Sequence, residues 1–205
     1  RPSISNGSRD IYGVLEKAES KMAFLPEENE AAISWLKGQG WIPDTPFVCL
    51  MVRDNTSLNK DDLNVGHDWS YHNYRDSDIS IYTKAAEWIA DQGVWVIRMG
   101  KIMQNRIPTK HPKIIDYAFH PERSDFLDIW LFANCSLCIS TGTGPDCISD
   151  VYRVPLLLVN FMPIKNLLSW SNAIHLPKHL TWNTSGRLLS MKEYLQHSYY
   201  QSDEY

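Results

Sequence analysis

Arg53 stands directly after the apolar run FVCLMV, and Ser140-Thr141-Gly142-Thr143-Gly144-Pro145-Asp146 stands directly after LCI. Both are suited to holding an anion. A guanidinium pairs two phosphate oxygens through one planar fork and is costly to bury alone. Gly142 and Gly144 let a backbone approach a ligand closely, Thr141 and Thr143 add hydroxyl donors, and Pro145 suits the first turn of a helix whose free N–H groups point at a phosphate. Asp146 would repel such a group, which assigns it to helix capping away from the ligand. Arg98 and Lys101 follow another apolar run, VWVI, and bring two more cations. Each feature also has a plainer use: Arg53 in an ion pair with Asp54, Lys101 as a solvated charge, and the turn as a tight strand-to-helix link. The turn is not G-x-G-x-x-G and lacks the Lys-Ser/Thr of a P-loop, so nicotinamide and ATPase chemistry are disfavoured.

A second concentration lies in His67–Asp78, which gathers two imidazoles, three carboxylates, one arginine and three aromatics. Such a mixture suits a polar, ring-shaped ligand, with aromatics against sugar faces and polar groups on hydroxyls. His67/Asp68 or His72/Asp76 has the make-up of a general base pair, and His67, His72 and an aspartate that of metal ligands. Neither spacing is specific, and Asp76 or Ser77 could simply cap the following helix. Cys135 and Cys138 form a lone C-x-x-C with no second pair and no histidine cluster beside it, which argues against zinc.

A chain of 205 residues, 43% hydrophobic and 21% charged, can bury the core of one full-sized domain but not of two. Its 20 basic against 24 acidic side chains leave a net charge of -4, so no general footprint for nucleic acid or anionic lipid is expected. Any anion must be caught by local geometry. No apolar run approaches the roughly 20 residues of a membrane span, and no secretory signal is visible. The four cysteines lie in or beside apolar segments and read as buried, reduced thiols of a cytoplasmic protein.

The elements that must position these residues follow from periodicity. Leu25 to Gly38 reads as a helix opened by Pro26 and acidic Glu27 and Glu28. Phe47 to Arg53 and Val94 to Met99 read as strands buried on both faces. Between them, Asp78 to Gln92 reads as a helix with Ile81/Tyr82, Ala85 and Trp88/Ile89 on its inner side. Lys113 to Ala118 is a weaker strand, followed by a helix through Phe126, Ile129, Trp130 and Ala133 with Ser124 as its N-cap. Strands at Ser136–Ser140 and Leu156–Phe161 flank a short helix at Cys147–Tyr152, and Leu188–Tyr200 predicts a last helix. Strands alternating with helices imply an α/β, Rossmann-like, mostly parallel sheet covered on both sides, with its ligand crevice at the carboxyl ends of the strands. Residues 1–24 read as a linker or the remnant of a preceding domain, and residues 25–205 as the domain itself.

The ordered segments "FVCLMVRD", "YHNYRDSDI", "AAEWIADQGVWVIRMGK", "SDFLDIWLFANCSLCISTGTG" and "VPLLLVNF" resemble a family of bacterial glycosyltransferases encoded among genes for surface polysaccharides. The resemblance covers about residues 25–195. That family is similar to the carboxyl-terminal, donor-binding half of GT-B glycosyltransferases, and more distantly to fucosyltransferases. It implies a nucleotide-sugar donor as substrate, no separate cofactor, a glycan acceptor, and an acceptor half lying outside this domain. Carried over, it puts Arg53 on the donor diphosphate and Ser140, Thr141, Gly142 and Thr143 around the same phosphates; the strand exits themselves add Gly144, Arg98 and Lys101 to that anion pocket. Arg75, Asp76 and Ser77 fall in the family's signature. Where fucosyltransferases carry His-x-Arg, this chain has Met51-Val52-Arg53, which keeps the arginine and removes the histidine. Metal is not called for if Arg53, Lys101 and backbone amides carry the charge, and His67 and Asp68 are the local candidates for a base. A non-catalytic nucleotide- or glycan-binding module, or a nucleotide-sugar epimerase or hydrolase, remains open on the same scaffold.

Overall fold

The apolar runs assemble into one sheet. The computed structural model describes residue 17, residues 22–54, residue 56, residues 74–162, residues 164 and 167, and residues 171–196. In chain order the elements are α1 (Pro26–Gly38), β1 (Phe47–Met51), α2 (Thr83–Asp91), β2 (Trp95–Met99), β3 (Ile114–Ile115), α3 (Asp125–Asn134), β4 (Leu137–Ser140), α4 (Asp146–Val151), β5 (Leu156–Phe161), β6 (Ala173–Pro177) and α5 (Met191–Gln196). The strands lie in the order β3-β2-β1-β4-β5-β6, and every pairing is parallel. This is the order of a doubly wound sheet.

β1 is buried at every position because both of its faces are covered. Phe47, Cys49 and Met51 join Ala32 and Leu36 of α1 and Leu127, Trp130 and Leu131 of α3 in one core. Val48 and Leu50 point the other way, as strand alternation requires, and pack with Ala86 and Ala90 of α2. α1 opens as its sequence predicts, with Pro26 in the first turn and the Leu25 N–H donating to the Glu28 carboxylate at 2.8 Å. Ser124 caps α3, its hydroxyl accepting the Leu127 N–H at 3.1 Å. No helix among the described residues is long and apolar enough to cross a membrane.

Four local expectations change. The helix predicted from Asp78 begins as a 3-10 turn, Ile79–Tyr82, and Asp78 is its cap, taking the Ser80 N–H at 2.9 Å, where Asp76 or Ser77 was expected. α2 packs Ala86, Ala90 and Ile89 on the sheet with Tyr82 of the preceding turn, so Tyr82 and Ile89 lie inward as expected, while Ile81 of that turn and Ala85 and Trp88 of α2 are exposed. Both stripes are apolar, and the one with small side chains lets the helix approach the sheet. β6 was not anticipated, because this edge strand exposes its most apolar residues, Ile174 and Leu176, and ends at a proline. Cys147 is exposed, while Cys49, Cys135 and Cys138 are buried.

Arg98 is the largest departure from expectation. Its side chain is 1% exposed and is paired at 3.3 Å with Asp116, while Nη2 donates to the Asn105 carbonyl at 3.2 Å. The other carboxylate oxygen of Asp116 accepts the Ile107 N–H at 3.2 Å. The guanidinium also lies 5.4 Å from the Phe119 ring centre. The pair thus ties β2 to the chain that follows it, and the cation is engaged internally instead of being offered to the large cavity at the strand exits. Removing one partner of a buried pair strands the other charge. Asp116→Ala should therefore lower unfolding free energy by about 3–5 kcal/mol, measured by urea denaturation.

Candidate functional site

The sheet changes direction between β1 and β4, and the two exits are bonded to each other. The Thr141 N–H donates to the Met51 carbonyl at 3.1 Å, and the Arg53 N–H donates to the Thr141 hydroxyl at 2.9 Å. Ligands of doubly wound sheets bind in the crevice outside such a switch point. Here the crevice holds a cavity of about 450 Å3, lined by Arg53, Asp54 and Lys101 and by Thr143 and Gly144 of the turn. Met51, Phe132 and Ile148 give it an apolar wall.

The turn after β4 is built differently from a phosphate cradle of free amides. Ser140 is fully buried, donates its hydroxyl to Asp146 at 2.6 Å, and accepts the Gly142 N–H at 3.1 Å. The same Asp146 oxygen accepts the Thr143 N–H at 2.7 Å. Two amides expected to meet a ligand are therefore satisfied from inside, that of Gly142 by the Ser140 hydroxyl and that of Thr143 by the buried Asp146 carboxylate. Ser140 and Thr141 shape the turn without facing the cavity. α4 spans six residues, so the following helix offers no extended amide terminus. Gly142 has φ +79, the left-handed region that favours glycine, whereas at Gly144 a Cβ would meet open space. The turn presents Gly144 and Thr143 to the cavity, and the Thr143 hydroxyl is buried with no hydrogen-bond partner among the described residues.

Arg53 is held by one edge. Its Nε donates to Asp76 at 3.1 Å, the side chain is 14% exposed, and neither terminal nitrogen donates to a described residue. The bidentate fork is thus pinned, and uncommitted among the described residues. The pin belongs to residues 74–78, which run as a strap across the strand exits. The Ser77 N–H donates to the Arg53 carbonyl at 2.9 Å, and Asn160 of β5 donates to the Ser77 hydroxyl at 3.5 Å. Arg75 donates to the Gly142 carbonyl in the β4 turn. Lys178, just after β6, donates to the Tyr74 and Asp76 carbonyls at 2.8 and 3.4 Å. Lys178 escaped the sequence reading, since nothing in its neighbours marks it.

Burial governs the electrostatics of this group. It pushes the Asp76 and Asp146 carboxyls up, against their hydrogen bonds from Arg53 and Ser140 respectively. It pulls Arg75 down, aided by the neighbouring Arg53 charge, and pulls Lys178 down against Asp76. Lys101 is different: its side chain is 65% exposed and pairs with exposed Asp125 at 3.3 Å. Such a pair contributes little. His67 and Asp68 lie outside the described residues, as does His72. Among the described residues no three His, Cys, Asp or Glu side chains are gathered for a metal ion.

A carboxyl whose native pKa is raised binds its proton more tightly in the fold than in the unfolded chain. Its contribution to stability is full below the unfolded value, about pH 4, and is lost as pH rises through the native one. The stability of the wild type relative to Asp146→Asn should therefore fall as pH is raised from about 4 to 7, measured by urea denaturation at each pH.

No protein-family model and no curated protein matches the chain. Among solved structures, the glycosyl transferase family 9 protein from Veillonella parvula DSM 2008 superposes with a TM-score of 0.56 at 13% identity, over 88% of this chain and 47% of that one. The chain thus spans about half the length of that relative. A beta Kdo 2,4 transferase, KpsC of Thermosulfurimonas dismutans, aligns at 11% identity over 90% of this chain and 67% of that one, with a TM-score of 0.39. The fold is an α/β Rossmann-like domain with a parallel sheet covered by helices, and it is similar to part of that glycosyl transferase family 9 structure.

Proposed function

We propose that this chain is the donor-binding half of a glycosyltransferase that moves a sugar from a nucleoside diphosphate to a glycan. The observation that supports it most is Arg53, whose guanidinium is pinned at Nε by Asp76 while its fork borders a cavity at the switch point. A fork fixed before the ligand arrives costs little ordering when it binds phosphate oxygens. Thr143 and Gly144 border the same space. The apolar wall formed by Met51, Phe132 and Ile148 suits the flat face of a nucleobase. The strap keeps this geometry without help from substrate.

In transfer, negative charge builds on the departing diphosphate as the bond to the sugar breaks. Arg53 would stabilise that charge from a fixed position, with Lys101 adding a screened contribution at the cavity mouth. The acceptor would be presented by a part of the enzyme outside this domain, with His67 or Asp68 as the candidate local base. Residues 1–24 would then link to that part.

Calorimetric titration with UDP, GDP, ADP and CDP tests the reading. At least one should bind, and Arg53→Ala should weaken it about 10- to 100-fold, the size of a charge-assisted hydrogen bond of about 1.5–3 kcal/mol. Absence of binding to all four by a chain that still unfolds cooperatively would reject it.

A further inference from the structure

A second cavity, of about 320 Å3, opens on the other side of the β1 exit. Asp54 borders both cavities, and the Arg53–Asp76 pair stands between them, with Arg53 on the larger one and Asp76 on the smaller. A group attached to a phosphate on Arg53 therefore has the smaller cavity within reach. Its walls differ sharply from the apolar slot. Asp76, Ser77, Asp78, Gln104 and Asn105 line it, with Val52 and Ile79 as its apolar part.

The chemistry of these groups is that of hydroxyl recognition. Asp76 accepts from Arg53 through Oδ1, and its second oxygen has no partner among the described residues, while Asp78, engaged by the Ser80 N–H and hydroxyl, adds a second carboxylate to the wall. Gln104 and Asn105 bring carboxamides that both donate and accept. Asp54 takes no such part, because its two oxygens receive the Thr56 and Gln104 N–H groups at 2.9 Å each. Arg98 borders the same cavity, is 1% exposed, and has its Nε buried with no partner among the described residues. A buried donor left open is costly unless something completes it. An oxygen of a bound ligand would do so.

We propose that the smaller cavity holds the glycosyl group of the donor, and that this group is uncharged and rich in hydroxyls. The inference rests on the reading of the larger cavity as the nucleotide site. Carboxylates accept from vicinal hydroxyls and repel a carboxylate on the sugar, so the same walls select neutral sugars over uronic or other acidic ones.

The test uses nucleotide pairs and sugar phosphates. Calorimetry compares UDP with UDP-glucose, GDP with GDP-glucose and ADP with ADP-glucose, in the wild type and in Asp78→Asn and Gln104→Ala. Asn caps a helix as well as Asp does, so Asp78→Asn preserves the 3-10 turn. For a diphosphate that binds, the attached glucose should tighten binding about tenfold, and the ratio should shrink toward one in each variant. Glucose 1-phosphate should also bind at least about tenfold more tightly than glucuronic acid 1-phosphate. If a diphosphate binds and glucose adds nothing, or if the gain survives both variants, the sugar assignment falls and the nucleotide reading stands. Equal binding of the two sugar phosphates overturns the charge selectivity. If no nucleotide binds, both readings fall together.

Discussion

The carboxyl ends of β1 and β4 are held together by Thr141, which donates its amide to one chain and accepts with its hydroxyl from the next residue but one of that chain. Two parallel neighbours whose chains diverge would otherwise leave main-chain groups unpaired at the point of separation. Closing that gap from within makes the switch point a rigid lip instead of a frayed end. Everything placed at the crevice inherits its position from this closure. Arg53 begins there, and the turn carrying Thr143 and Gly144 leaves from there.

A second constraint is the buried carboxylate of Asp146. It gathers the Ser140 hydroxyl and the Thr143 amide, which shapes the turn and makes it less positive than its sequence suggests. Anion binding then falls chiefly to side chains, and the strap 74–78 is what orders them. Asp76 orients Arg53, Arg75 fixes the Gly142 carbonyl, and Lys178 anchors the strap from the far side of the sheet. Charges of both signs alternate across the strand exits. That arrangement offsets part of the repulsion among three neighbouring cations, of which Arg75 still feels Arg53.

The interior strands were legible because burial on both faces leaves unbroken apolar runs, as in β1, β2 and β5, and their exits pointed directly to Arg53 and the Ser140–Asp146 turn. Edge strand β6 was not, since its alternation runs apolar outward. α2 offered two apolar stripes one residue apart, and only packing against the sheet chooses between them. In the site, residue types were visible and their partners were not. Arg98 and Arg53 follow apolar runs in the same way, yet one meets Asp116 inside the protein and the other keeps its fork open. Nothing local distinguishes them, because each partner arrives from a distant part of the chain. The segment Tyr74-Arg75-Asp76-Ser77-Asp78 stood out as polar and unusual, but its use as a clamp depends on Asn160 and Lys178, which approach only after β5 and β6 are in place.

Because the strap is fastened to the sheet by its own bonds, the stretch of chain joining Arg53 to Tyr74 has both ends anchored independently of its length. Doubling such a stretch adds only about 0.6 kcal/mol of closure entropy. Evolution could lengthen, shorten or rewrite it while its two anchors stay in register.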